Sequence, residues 1–143
     1  MGAARTSRLT VSHIEGDRFS IAVRDHVLTV DQPVDQGGGD TAPTPTELFV
    51  ASLASCVAHY ARRYLSRHDL PTAGLTVTAE HELGSRPARV TEVRLLLTVP
   101  DGVPPERHAP LLAVASHCTV HNTLESPPDV QVELRAPVTR STS

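Results

Sequence analysis

The segment from Pro43 to Cys56 constrains the fold most strongly, because it combines a helix-start signal with a long apolar run. Thr44 suits the N-cap position, Pro45 the first helical position and Glu47 the third, which together make a capping box. A helix that is apolar on most sides must be covered by several other elements. We therefore predict a long, largely buried helix with one of the two cysteines of the chain partway along it.

This helix is expected to run from Pro45 to about His68, where the segment 69–71 ends in a proline and stops it. Its apolar face includes Leu53, Cys56 and Tyr60 at helical spacing. A single chain with few aromatic residues can hardly cover such a helix on all sides. We therefore expect a homodimer.

Alternating apolar and polar residues predict strands on both sides of this helix. The expected elements are strands over 9–14, 19–24 and 27–30, a glycine- and proline-rich loop over 31–45, strands over 75–80 and 92–99, a second helix that opens at Pro104-Pro105 or at Pro110 and leads to Cys118, and a last strand over 130–134. The fold class is α+β. One domain is expected over residues 8–135, with flexible tails over 1–7 and 136–143.

Composition argues against several kinds of partner. The net charge is −3 at pH 7 and aromatic residues make up 3% of the chain, so neither a basic footprint nor a stacking platform for nucleic acid is visible. No apolar run is long enough to cross a bilayer, so no membrane partner is expected. The N-terminal residues lack the apolar core of a signal peptide, which predicts a cytoplasmic protein. In that reducing compartment, two cysteines are more often reactive or metal-binding than joined in a structural disulfide.

The two thiols admit an inert and a reactive interpretation. Free cysteine is among the most buried residue types, so Cys56 and Cys118 could be small core residues. A reactive thiol instead needs a cation, a helix N-terminus or a base nearby. Both cysteines lie on apolar helical segments beside polar neighbours, which include His59 and His121. This pattern favours function.

A zinc site is a further alternative. Cys56 and His59 form a C-x-x-H pair, as do Cys118 and His121. Two sulfur and two nitrogen ligands would suit tetrahedral zinc. The pairs lack the turn signals that usually surround such ligands. A phosphate-binding glycine loop and a serine-hydrolase motif are both missing from the sequence.

Two segments taken together resemble the OsmC/Ohr family. The first is Pro43–Cys56, and the second is His117–Leu124, which reads His-Cys-Thr-Val-His-Asn-Thr-Leu. The resemblance extends from about Leu9 to Leu134. It implies an OsmC-like fold and an intertwined homodimer in which the long helices pack against each other and the partner completes each sheet.

The resemblance also implies a cysteine-based peroxidase that reduces organic hydroperoxides in oxidative-stress defence. Cys56 would attack the peroxide and become a sulfenic acid, and Cys118 would resolve it as a disulfide. No bound cofactor is expected. An external dithiol, with a lipoyl protein as one candidate, would reopen the disulfide. The alternative within the same family is a small-molecule binding protein with little or no turnover.

The polar residues that assist the reactive cysteine in the family have altered counterparts in this chain. Family members use an arginine from the N-terminal strands, which corresponds to Arg18 or Arg24, and a glutamate early in the long helix. Thr46 stands at the expected position of that glutamate and Glu47 follows it, a rotation of about 100° around the helix. Arg18, Arg24 and Glu47 are accordingly candidate catalytic residues beside the two cysteines.

Overall fold

Two antiparallel sheets and three helices make up the structure, a computed structural model that describes residues 4–138. The elements in chain order are β1 (Thr10–Glu15), β2 (Arg18–Val23), β3 (His26–Val30), α1 (Pro45–Arg67), β4 (Thr76–Gly84), β5 (Arg89–Thr98), α2 (His108–Ser116) and α3 (Thr119–Glu125), with single 3-10 turns at Val34–Gln36 and Pro105–Arg107. The predicted α+β class is confirmed. The outer parts of the predicted tails, residues 1–3 and 139–143, lie outside the described residues.

The capping box at the start of α1 forms as predicted. The Glu47 backbone N–H donates to the Thr44 hydroxyl over 3.0 Å, and the Thr44 N–H donates to the Glu47 carboxylate over 2.9 Å. Pro45 occupies the first turn, where a missing N–H costs nothing. The helix ends at Arg67, one residue before the predicted end.

The core lies where α1 packs against α2 and the β4–β5 sheet. Ala61, Leu65, Leu111 and Ala115 are fully buried there. Small side chains at Ala61 and Ala115 let the two helices approach closely. Alternate residues of β4 and β5, such as Val77 and its cross-strand partner Leu97, cover the same core from the sheet side.

The β1-β2-β3 sheet stands apart from this core. Its register pairs His13 with Phe19 and Phe19 with Val30, as two consecutive hairpins. The sheet makes few contacts with the helices, and apolar side chains such as Val11 and Val27 are more than half exposed. Within one chain this sheet is therefore only partly covered.

The second helical segment opens at Pro105, as in the first predicted alternative, but its first turn is a 3-10 turn. A 3-10 turn at Pro105–Arg107 leads directly into α2, which begins at His108. Pro110 then falls in the first turn of α2, where its ring and missing N–H are tolerated. Neither a start at Pro110 nor a mid-helix kink is needed.

The predicted last strand, over 130–134, is wrong for the single chain. Residues 127–138 form neither helix nor strand, and Val132 and Leu134 are 93% and 95% exposed. Alternation alone cannot make a strand, because its backbone N–H and C=O groups need a neighbouring strand to pair with. No described strand of this chain pairs with the segment.

Asp31 organises the long loop that enters α1. Its buried carboxylate accepts hydrogen bonds from the Thr41 hydroxyl at 2.7 Å and from the Thr41 N–H at 3.0 Å, and also from the N–H groups of Gln32 and Gly39. These bonds, with the Thr41 hydroxyl contributing most, lower the pKa of Asp31 to about 2. At Gly38, an added Cβ would lie 2.0 Å from the Gln32 carbonyl oxygen, so the turn requires glycine.

We expect Asp31 to make the stability of the protein depend on acid pH. Because its pKa falls from 3.8 unfolded to about 2 folded, its contribution is complete above pH 3.8 and is lost as the pH falls through about 2. The free energy of unfolding, measured with urea from pH 2 to pH 6, should therefore differ most between wild type and Asp31→Asn near pH 6 and converge towards pH 2. Asp35→Asn, at an exposed position of the same loop, is the control. A constant gap between wild type and Asp31→Asn at every pH would contradict this.

Candidate active site

Cys56 lies in the middle of α1, about 17 Å from the start of the helix. Its side chain is half-buried and packs against the core cluster that contains Cys118. The helix N-terminus is too distant to stabilise a thiolate here, since its field fades within the first turn. Cys56 is the more accessible of the two thiols, because Cys118 is fully buried.

Cys118 occupies the junction between α2 and α3. It is the N-cap of α3, with an extended backbone (φ −75°, ψ 161°), and its sulfur accepts a hydrogen bond from the His121 N–H at 3.4 Å. The side chain is fully buried. Burial raises the pKa of the Cys118 thiol and the neighbouring Cys56 thiol raises it further, against the opposing effect of the His121 bond. Cys118 consequently stays protonated at neutral pH.

The fold brings the two cysteines together, although they lie 62 positions apart in the sequence. Cys56 packs against the cluster that contains Cys118 and perturbs its titration, as only a neighbouring group can. Both are free thiols rather than a disulfide. A half-buried thiol beside a buried, protonated one is an arrangement suited to reversible disulfide chemistry.

Two hydroxyl groups beside the thiols were not anticipated from the sequence. Tyr60 is one turn beyond Cys56 on the same face of α1, and its hydroxyl lies 2.7 Å from that of Thr119, the residue after Cys118. The one-turn spacing of Cys56 and Tyr60 was visible in the sequence. The contact of Tyr60 with Thr119 was not, because it joins residues 59 positions apart.

The structure does not bring Glu47 to Cys56. The carboxylate is exposed and bonds the Thr44 N–H. Nine helical residues place it about 14 Å along the axis and about half a turn around the helix from Cys56. Within this chain, Glu47 is a capping residue.

The two candidate arginines lie in the β1-β2-β3 region, which makes few contacts with α1. Arg18 begins β2 and bonds Glu15 at 3.2 Å, and its Nε is buried without a hydrogen-bond partner among residues 4–138. Arg24 is exposed in the turn between β2 and β3. Neither is placed beside the thiols by its own chain.

The zinc hypothesis receives no support from the geometry. Over residues 4–138, no group of three or more His, Cys, Asp or Glu side chains is placed to hold a metal ion. His121 directs one ring nitrogen to the Ser116 carbonyl oxygen at 2.5 Å and the other to Glu125 at 3.2 Å. His59 is exposed on α1. The two C-x-x-H pairs thus do not form one ligand set.

An open cavity of about 310 Å³ lies beside α1, on the N-terminal side of Cys56. Phe49 and Leu53 line it from α1, His121 and Leu124 from α3, and Val93 from β5. Polar residues line it as well, Thr91 and Glu92 from β5 and His121 and Glu125 from α3. Such a cavity suits a small molecule that has both an apolar and a polar part.

The chain has an α+β fold in which a long helix carries one thiol and the N-cap of a short helix carries a second. These features define a class of two-cysteine proteins. Comparison with known proteins identifies the class. The model of the OsmC-like protein family matches residues 37–133, so this chain belongs to that family. No curated protein matches the chain.

Solved structures share the fold at low sequence identity. A candidate osmotic stress induced and detoxification response protein from Psychrobacter arcticus is 23% identical, covers 86% of this chain and 91% of its own, and has a TM-score of 0.77. An OsmC-like protein from Mycoplasma pneumoniae is 15% identical, with coverage of 87% and 91% and a TM-score of 0.75. An organic hydroperoxide resistance protein from Elizabethkingia anophelis, with thiocyanate bound, is 23% identical, with coverage of 89% and 93% and a TM-score of 0.68. The expected OsmC-like fold is confirmed.

In the described part of the chain, no helix has both the length and the apolar character needed to span a membrane.

We expect the two cysteines to differ sharply in alkylation. Cys56 should react with iodoacetamide roughly tenfold faster than Cys118 at pH 7.5, because Cys118 is buried and protonated. Since burial raises the pKa of Cys118, its rate should continue to rise well into the alkaline range. Peptide mass spectrometry of pulse-labelled protein would measure both rates, with urea-unfolded protein as the control. Equal labelling of the folded protein would contradict the assigned environments.

Proposed function

We propose that this protein is a thiol-dependent peroxidase that reduces organic hydroperoxides, with Cys56 as the peroxidatic and Cys118 as the resolving cysteine. The observation that carries the proposal is that a half-buried free thiol, Cys56, packs against the core cluster that contains the fully buried free thiol of Cys118. Membership of the OsmC-like family supports it. So do the fold relatives described as organic hydroperoxide resistance proteins, from Elizabethkingia anophelis and Legionella pneumophila.

The first step is attack by the Cys56 thiolate on the terminal peroxide oxygen. The O–O bond breaks, Cys56 becomes a sulfenic acid, and the alkoxide leaves as an alcohol after taking a proton. In the second step the Cys118 sulfur attacks the Cys56 sulfur, an S–S bond forms, and the sulfenic hydroxyl leaves as water with the thiol proton. An external dithiol, for which a lipoyl protein is one candidate, then reduces the disulfide by exchange.

The environments of the two thiols favour this division of roles over the reverse. A peroxide from solution can reach the half-buried Cys56, whereas Cys118 has no exposed surface. The high pKa of Cys118 keeps it as a thiol, so it does not compete for the oxidant. The cavity beside Phe49 and Leu53 offers apolar surface for the organic part of the substrate.

Peroxide consumption in single cysteine variants tests the assignment. With cumene hydroperoxide and excess dithiothreitol, we expect Cys56→Ser to lose at least about 99% of turnover, because the nucleophile is removed. In a single turnover without reductant, Cys118→Ser should consume one equivalent and retain a sulfenic acid that dimedone traps. Ser55→Ala, a neighbouring exposed position on α1, is the matched control.

Equal turnover by wild type and Cys56→Ser would refute the peroxidase proposal. The cavity that Phe49 and Leu53 line then favours the second candidate, a binding protein for small molecules with an apolar part. Under that function, a small apolar ligand raises the melting temperature of wild type and Cys118→Ser alike, without turnover.

A homodimer is part of the proposal. The β1-β2-β3 sheet and the segment over 130–138 expose apolar residues that include Val27, Leu28, Val130 and Val138. Exposed apolar surface of this extent is typical of an interaction site. Arg18, whose Nε is buried without a partner among the described residues, begins β2 of this sheet, and Arg24 lies in the turn that follows β2. In a dimer they can serve the active site of the partner chain.

Sedimentation at micromolar concentration should therefore give a mass near twice 15.3 kDa. Val27→Asp places a charge on the exposed sheet face and should shift the equilibrium to monomer, because a buried unpaired charge is costly. Thr78→Asp, at an exposed position of β4, is the control. A monomeric wild type would refute the dimer, and a Val27→Asp variant as dimeric as wild type would exclude this face from the interface.

A further inference from the structure

Among the described residues, one side-chain hydrogen bond joins α1 to the start of α3, directly after Cys118. The hydroxyls of Tyr60 and Thr119 lie 2.7 Å apart. Tyr60 is one helical turn from Cys56, and Thr119 directly follows Cys118. Among the described residues, this is the only hydrogen bond between α1 and α3.

Beyond Thr119, α3 packs on the core through partly buried side chains such as Val120. It is seven residues long and has no fully buried side chain. Its other side-chain hydrogen bonds are local, such as that from the Thr123 hydroxyl to the Thr119 carbonyl and that from Asn122 to the His117 carbonyl. A helix this short gains most of its stability from tertiary contacts. The first residues of α3 are therefore positioned by the buried Cys118 side chain, by Val120 and by the Tyr60–Thr119 hydrogen bond.

We propose that Tyr60 and Thr119 are positioning residues for closure of the Cys56–Cys118 disulfide: their hydrogen bond holds the Cys118 segment against α1, so that the Cys118 sulfur can reach the Cys56 sulfur. The biological use of this role rests on the proposed peroxidase function, whose second step is that closure. Neither hydroxyl bonds a sulfur atom in residues 4–138, so both act through the backbone that carries Cys118. Intramolecular reactions are sensitive to such positioning, because small displacements remove near-attack geometries.

Thiol exchange with glutathione disulfide tests the proposal without any peroxide. The Cys56 thiolate attacks glutathione disulfide, forms a mixed disulfide and releases one glutathione. Cys118 then attacks the Cys56 sulfur and releases the second glutathione. Quenching with acid and measuring intact mass follow both forms over time, so the attack and the closure have separate rate constants.

The variants are Tyr60→Phe, Thr119→Val, their double mutant and Thr119→Ser. Loss of one hydrogen bond is expected to slow closure roughly threefold to tenfold in either single variant. The double mutant should be no slower than the singles, because all three lack the same bond. Thr119→Ser keeps the hydroxyl and should close at nearly the wild-type rate. Near-equal melting temperatures would show that the fold is kept.

Closure at the same rate in wild type and Tyr60→Phe, including no closure in either, would overturn the proposal. So would additive effects in the double mutant, or a Thr119→Ser variant as slow as Thr119→Val. The peroxidase function is judged separately, since a protein that closes as predicted with glutathione disulfide but consumes no hydroperoxide would refute the peroxidase alone.

Discussion

The close packing of α1 against α2 is the constraint on which the rest of the structure depends. Ala61 and Ala115 are small enough for the helices to approach, and Leu111 fills the space between them without exposure to solvent. Because α2 is held there, its C-terminal end delivers Cys118 to the middle of α1, where Cys56 lies. A bulky side chain at either alanine would separate the helices and, with them, the thiols.

The proposed thiol chemistry follows from the difference between the environments of Cys56 and Cys118 more than from any single group that activates a thiol. Cys56 is at a helix surface that solvent can reach, and Cys118 is sealed in the core as the cap of a short helix. The raised pKa of Cys118 keeps it from competing for an oxidant, while its place in the cluster against which Cys56 packs keeps it available for exchange. Cys56 is thereby suited to react with a substrate, and Cys118 is suited to react with oxidised Cys56.

Features encoded by neighbouring residues were predictable from the sequence, and features that depend on distant contacts were not. The capping box of Thr44 and Glu47 involves residues three apart, and its formation shows how strongly local rules govern the start of α1. The alternation in β4 and β5 likewise predicted both strands. The segment over 130–134 has a similar pattern yet forms no strand, because pairing needs a neighbour that this chain does not provide within residues 4–138. The pairing of the cysteines was inferred only through a family resemblance, and the Tyr60–Thr119 contact was missed, since each joins positions about 60 residues apart.

The central claim is that Cys56 and Cys118 form one redox pair within a single chain. Its most direct test is peptide mapping, without reductant, of protein treated with one equivalent of an organic hydroperoxide. The predicted result is a loss of two hydrogens per chain, found in a peptide pair that links Cys56 to Cys118 of the same chain. A stable oxygen adduct on either cysteine of the wild-type protein, or a disulfide only between chains, would contradict the account.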